Sequence, residues 1–273
     1  MSMACDVEVE RPRRLRKRPR LSDGFTWSGR IFVLGMFLGV VSVIGMYIYS
    51  STLPSKVVSV IGQTVVGRVE FFKQVLIYEA VAIFLNNTFV ALASSILPLT
   101  IAMLEARPEK PVTSMKRSNR IEQVINSSYQ RLEAAFFKSG LNLESRARSL
   151  CFSMFLLPAA IMVVNGWILG YFGAAQAVQS STSLVLFLAL VLPHGVIEIP
   201  AFVLAAAVGY WTVQQSVRFF EVNRYEEFPK MAREMLRSRR VWSPLVAVLF
   251  FLATAAYVET YITPYVPASF QLI

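Results

Sequence analysis

The sequence contains little of what most enzyme active sites are built from. Its 273 residues include one histidine and two cysteines, and only 16% of them are charged. It has no His-Glu-x-x-His zinc motif, no Gly-x-Ser-x-Gly nucleophile motif and no phosphate-binding glycine loop. Cys5 and Cys151 fall in segments that are not expected to meet, which argues against a disulfide. These absences predict a protein that is not an enzyme and that has no metal and no cofactor.

Hydrophobic residues, in contrast, make up 55% of the chain, more than an ordinary soluble domain contains. They are concentrated in five apolar runs, each long enough to cross a bilayer as a helix. The sequence therefore predicts an all-α, polytopic membrane helix bundle, formed by a single membrane domain over residues 25–273. Its predicted transmembrane helices are residues 31–49, 77–104, 150–172, 184–210 and 242–263.

The distribution of the basic residues predicts which segments lie on each side of the membrane. Of the 27 Lys and Arg residues, 24 lie in residues 1–30, 105–149 and 212–241. Under the positive-inside rule this distribution predicts a multi-pass protein of the cell membrane with a cytoplasmic N-terminus and an external C-terminus. Residues 1–24 are predicted to be a disordered basic tail, and the other two segments cytoplasmic loops with amphipathic helices. Such basic loops favour anionic lipid headgroups as partners, and not nucleic acid.

Small residues recur at intervals of four within the apolar runs, a spacing that lets two membrane helices approach closely. We therefore predict helix-packing positions in the first, third and fourth spans. These positions are Gly35, Gly39, Gly166, Gly170, Ala201, Ala205 and Gly209.

The fourth apolar run contains the only histidine, His194, together with Glu198. Ionisable side chains are expensive to place inside a bilayer, so they mark candidate functional sites. Pro193 and Pro200 remove backbone hydrogen-bond donors, and Gly195 adds flexibility between them. We predict that the helix is broken or kinked at these three residues.

Other polar residues occur at similar depths in the outer half of the predicted bilayer. We predict that they form one buried polar cluster, whose members are Asn86, Asn87, Asn165, His194, Glu198 and Glu259. Three hypotheses remain open at this point. The cluster could be a structural latch between helices, a substrate, proton or ion site at a discontinuous helix, or, with the lowest probability, an intramembrane metal-dependent hydrolase. A zinc site is hard to assemble because no second histidine is present.

The chain resembles the stage II sporulation protein M family of integral membrane proteins. The resemblance rests on four motifs in the same order along the chain, namely Ile83-Phe84-Leu85-Asn86-Asn87, Asn165-Gly166, Pro193-His194-Gly195-Val196-Ile197-Glu198-Ile199-Pro200-Ala201 and Val258-Glu259-Thr260-Tyr261-Ile262-Thr263-Pro264. Members in spore-forming bacteria look like scaffolds that hold peptidoglycan-degrading partners at the septal membrane.

This resemblance implies a scaffold or assembly subunit of a cell-envelope membrane complex, without catalysis of its own. The expected partners are other membrane proteins or further copies of the same chain, within the lipid bilayer. The alternative is a small transporter or channel that uses the His/Glu/Asn cluster as its substrate or ion site.

Overall fold

The computed structural model describes residues 20–51, 53–60, 63, 78–106, 145–223 and 225–265. Most of the predicted basic tail, most of the segment 50–76 and nearly all of the predicted loop 105–149 lie outside these residues. The described part consists of helices and turns, and it contains no β-strand. Its α-helices are α1 (Leu21–Tyr49), α2 (Glu79–Ser95), α3 (Leu97–Glu105), α4 (Ser145–Gln179), α5 (Ser181–Phe220), α6 (Phe228–Arg237) and α7 (Arg239–Tyr261). Residues 53–60 are also helical, and short 3₁₀ turns occur at Tyr225–Glu227 and Thr263–Tyr265.

Four of these helices, α1, α4, α5 and α7, are each long and apolar enough to cross a membrane. Helices α2 and α3 form a fifth span if they are taken together, with a bend of 49° between them. The bend falls at Ile96, and Pro98 in the first turn of α3 has no backbone N–H to continue the ladder of α2. The predicted all-α membrane bundle with about five spans is therefore confirmed.

The fourth span, which was predicted to be broken or kinked, is not broken. Helix α5 is α-helical from Ser181 to Phe220 and passes through Pro193, Gly195 and Pro200 without interruption. A proline removes one backbone hydrogen bond, and packing against neighbouring helices can hold the remaining turns in place. Helix α5 packs against α1, α2, α4 and α7, and this contact on several sides accounts for its continuity.

Two predicted boundaries also change. Helix α1 begins at Leu21, so residues 21–24 are its first turn and not part of the tail. They are held by tertiary contact, because a Cβ added at Gly24 would lie 2.7 Å from the carbonyl oxygen of Ala207. Helix α5 ends only at Phe220, so the predicted loop 212–241 consists of the last turns of α5, the helix α6 and the start of α7.

Helices α1 and α4 touch backbone to backbone through glycines. A Cβ added at Gly35 would overlap the carbonyl oxygen of Val163, and one added at Gly39 would overlap that of Trp167. Both contacts advance in the same direction along the two helices, so α1 and α4 run parallel. On the α4 side, Gly166 and Gly170 meet the carbonyl oxygens of residues in α1 in the same way.

Helix α5 makes similar close contacts through its small residues. A Cβ at Gly209 would overlap the carbonyl oxygen of Ser94, which brings α5 against the end of α2. Ala201 and Ala205 are fully buried in a core cluster that also contains Met162 of α4 and Leu252 of α7. All seven predicted helix-packing positions therefore lie at helix contacts or in the core.

The largest core cluster lies at one end of the bundle. It contains residues from the C-terminal ends of α3 and α5 and from the N-terminal ends of α4 and α7, with Leu21 of α1 and the amphipathic helix α6 packed among them. We call this part of the molecule the basic end. Its exposed cations include Arg20, Arg146, Lys230, Arg233, Arg237, Arg239 and Arg240.

Candidate functional site: a polar cavity inside the bundle

A cavity of about 400 Å³ lies between the helices, away from the basic end. Its lining comes from five helices, with Phe32 on α1 and all six residues of the predicted polar cluster on the others. The residues of that cluster are Asn86 and Asn87 on α2, Asn165 on α4, His194 and Glu198 on α5, and Glu259 on α7. The remaining wall is apolar and includes Phe172, Phe187 and Phe202. We refer to this space as the polar cavity.

Three ionisable side chains converge in the polar cavity. His194 and Glu198 are separated by four residues of continuous helix, which places them on the same face of α5. Glu259 reaches the same region from the end of α7. One nitrogen of His194 and one carboxylate oxygen of each glutamate lie within 4.8 Å of one another. All three side chains are partly buried.

The asparagines form their own hydrogen bonds. Asn86 Nδ2 donates to Asn87 Oδ1 at 3.0 Å, and Asn165 Nδ2 donates to the carbonyl oxygen of Ile161 at 2.8 Å. Within the described residues, no hydrogen bond joins an asparagine to His194, Glu198 or Glu259. The cavity is thus a set of converging polar groups and not a closed hydrogen-bond network.

Among the described residues, His194 has one hydrogen-bond partner, the buried side chain of Thr263. The hydroxyl oxygen of Thr263 lies 3.5 Å from His194 Nδ1 and also donates a hydrogen bond to the carbonyl oxygen of Val258 at 3.2 Å. When the single hydrogen of the Thr263 hydroxyl points to Val258, the hydroxyl oxygen is the acceptor for Nδ1–H. The neutral imidazole then carries its lone pair on Nε2.

Thr263 was not among the predicted site residues, although it lies in the motif that ends the fifth span. It follows Glu259 by four residues, and that spacing was the signal available in the sequence. Its role depends on the turn Thr263–Tyr265, which folds the chain back against α5. A short turn of this kind is not visible in hydropathy.

Apart from His194, no basic side chain of the described residues lines the polar cavity beside its two glutamates. Among the described residues that line it, none is Lys or Arg. Glu198 and Glu259 repel each other, and Glu79 at the start of α2 adds to the repulsion on Glu259. Two carboxylates this close in a medium of low dielectric constant are unfavourable as free anions, and protonation of one or both, or a bound cation, removes the repulsion.

Comparison with known proteins gives one match. The family model described as Stage II sporulation protein M matches residues 28–264, which include all five spans and every residue of the predicted polar cluster. No curated protein and no solved structure is significantly similar to the chain.

Proposed function

Because the chain belongs to the stage II sporulation protein M family of membrane proteins, we propose that it is an integral scaffold or assembly subunit of a cell-envelope membrane complex. In this proposal the chain has no catalytic activity of its own. It provides a rigid membrane frame to which other membrane proteins, or further copies of itself, attach.

The observation that carries this proposal is the direct backbone contact between three pairs of helices. Glycines form the contacts of α1 with α4, of α1 with α5 and of α5 with α2. At each contact a carbonyl oxygen of the neighbouring helix lies where the Cβ of a larger residue would be. Alternating-access transporters move one group of helices against another. Helices that touch along their backbones resist such movement, because any shift separates many close-packed atoms at once. A rigid frame suits a scaffold better than a carrier.

We also propose that the basic end faces the cytoplasm, with the polar cavity in the outer half of the bilayer. The support is the cluster of exposed Lys and Arg residues on and beside α6, which the positive-inside rule assigns to the cytoplasm. The link between α4 and α5, at Ser180, then lies outside. The exposed cations would contact anionic lipid headgroups.

Thiol labelling tests this orientation. In a Cys5→Ser background, in which the remaining Cys151 is buried, we expect a membrane-impermeant maleimide to label Ser180→Cys on intact cells. Asn223→Cys, an equally exposed position at the other end of α5, is the matched control and should react only after permeabilisation. The opposite pattern would place the basic end outside.

Purification in a mild detergent tests the scaffold itself. We expect the chain to elute as a homo-oligomer or with other envelope membrane proteins. The assembly should weaken in Gly39→Ala, which disturbs the frame, and persist in Gly45→Ala, where an added Cβ meets nothing within 4 Å. A lone monomer from several detergents, or equal behaviour of the two variants, contradicts the proposal.

The polar cavity supports a second candidate function, that of a small transporter or channel. The observation that supports this function is the convergence of His194, Glu198 and Glu259 on a space of about 400 Å³ between membrane helices. Polar and ionisable groups in such positions often mark substrate or ion pathways.

Flux measurements in liposomes distinguish the two functions. A transporter should move an ion or metabolite into vesicles, and His194→Ala and Glu198→Gln should each abolish that movement, whereas Glu105→Gln at the exposed end of α3 should not. If no flux occurs with wild-type protein across ions and metabolites, the scaffold proposal stands.

A further inference from the structure

We propose that the polar cavity binds a divalent transition-metal ion of the zinc type, held by His194, Glu198 and Glu259. His194 and Glu198 lie four residues apart on α5. The fold supplies the third ligand from α7. This proposal is independent of whether the chain acts as a scaffold or a transporter.

The donor set and its geometry fit such an ion. Zinc is commonly bound by imidazole nitrogen and carboxylate oxygen at about 2.0–2.2 Å, which separates neighbouring ligand atoms in a tetrahedral site by roughly 3.4 Å. In the polar cavity, one ligand atom from each of the three residues lies within 4.8 Å of the others. A shift of about 1 Å by each of the two carboxylates closes this difference. No hydrogen bond to a described residue restrains either carboxylate.

The hydrogen bonding of His194 prepares the ring to bind a metal. Ligand histidines usually donate their second ring N–H to a fixed acceptor, which sets the tautomer and the orientation of the ring. Thr263 is such an acceptor, since its own hydrogen goes to the carbonyl oxygen of Val258. In the tautomer in which Nδ1–H donates to Thr263, Nε2 is the nitrogen that would bind the ion.

Charge gives an independent reason. Glu198 and Glu259 bring two carboxylates together inside a membrane bundle, and no Lys or Arg is found among the described residues of the lining. A divalent cation neutralises both carboxylates and removes their repulsion. A bound ion also joins α5 to α7 at the end of the bundle opposite to the large core cluster.

The cavity leaves room for a further ligand. Three protein ligands leave a fourth tetrahedral position, which a water molecule can fill. The space of about 400 Å³ is much larger than the ion and one water, so the open position faces a chamber lined in part by Asn86, Asn87 and Asn165. Their amides can hydrogen-bond a metal-bound water or another polar ligand.

Metal analysis of the full-length protein in detergent tests the proposal. After treatment with EDTA, dialysis against Zn²⁺ and removal of excess metal, we expect one Zn²⁺ per chain by mass spectrometry. Glu198→Gln, Glu259→Gln and His194→Ala should lose this ion. Thr263→Val keeps all three ligands and should bind zinc about 10-fold more weakly, as is usual when a residue that orients a ligand is lost.

Glu105→Gln is the matched control, because it makes the same chemical change at an exposed site on α3. It should keep the full zinc content. To separate lost binding from lost folding, Zn²⁺ is added to EDTA-treated protein during thermal unfolding. We expect a higher Tm for wild type and Glu105→Gln and an unchanged Tm for folded Glu198→Gln. Absence of zinc from wild type, or equal zinc in wild type and the three ligand variants, would overturn the proposal.

Discussion

Replacement of Gly39 by alanine is expected to destabilise the bundle by about 3 kcal/mol, at the upper end of what an inserted methyl group usually costs in a packed core. An added Cβ would lie 2.6 Å from the backbone nitrogen of Tyr171 and 3.1 Å from the carbonyl carbon of Gly170, and it would overlap the carbonyl oxygen of Trp167. All three atoms belong to the backbone of α4 and cannot rotate away. The two helices must therefore separate, and the loss is measured as a lower Tm in detergent.

The control is in the same helix. Gly45 lies six residues further along α1, and a Cβ there meets nothing within 4 Å. Gly45→Ala should therefore be neutral or stabilising by about 0.5–1 kcal/mol, because alanine loses less backbone entropy than glycine when a helix forms. If both variants lose stability equally, the parallel contact between α1 and α4 is not a main source of stability.

Hydropathy predicts the membrane spans well, because it is summed over many residues. Each span contains about twenty apolar residues, so a few polar ones do not hide it. The ends of helices are harder to predict. The first turn of α1 and the last turns of α5 contain polar residues, and they are helical because they pack against other helices.

The effect of individual prolines is also decided by packing. Pro193 and Pro200 predicted a break in the fourth span, yet α5 is continuous. The break lies instead between α2 and α3, beside Pro98. A proline changes one hydrogen bond, and the surrounding helices determine whether the chain bends there.

Six residues of the polar cavity can be predicted from the sequence, because they lie at similar depth in the bilayer and within the family motifs. Depth places residues on a common level, but it does not say which faces of the helices meet. The approach of Glu259 to His194 and Glu198 requires α7 to pack beside α5, and the position of Thr263 requires the turn after α7. Neither follows from periodicity, so the sequence named Glu259 as a member of the cluster but did not show that it approaches His194 and Glu198.

The second large effect concerns α6, whose exposed cations belong to the basic end. We expect Phe228→Ala to lower the free energy of unfolding by about 3–5 kcal/mol, the usual range for a large aromatic side chain removed from a core. Phe228 is fully buried, and its ring stacks on Phe220 at the end of α5 with centroids 5.0 Å apart. Tm in detergent measures the loss.

The same substitution should release α6 before the rest of the bundle unfolds, because Phe228 is its first residue and lies at its junction with α5. Limited proteolysis should then cut near Lys230 and Arg233 in Phe228→Ala while the other spans stay intact. Val222→Ala is the control: this side chain is 75% exposed in the same connection and should change stability by less than about 0.5 kcal/mol. If α6 remains protected in Phe228→Ala, the helix is held at the basic end by its other contacts, through Ala232 and Met235, and the aromatic stack is not what anchors it.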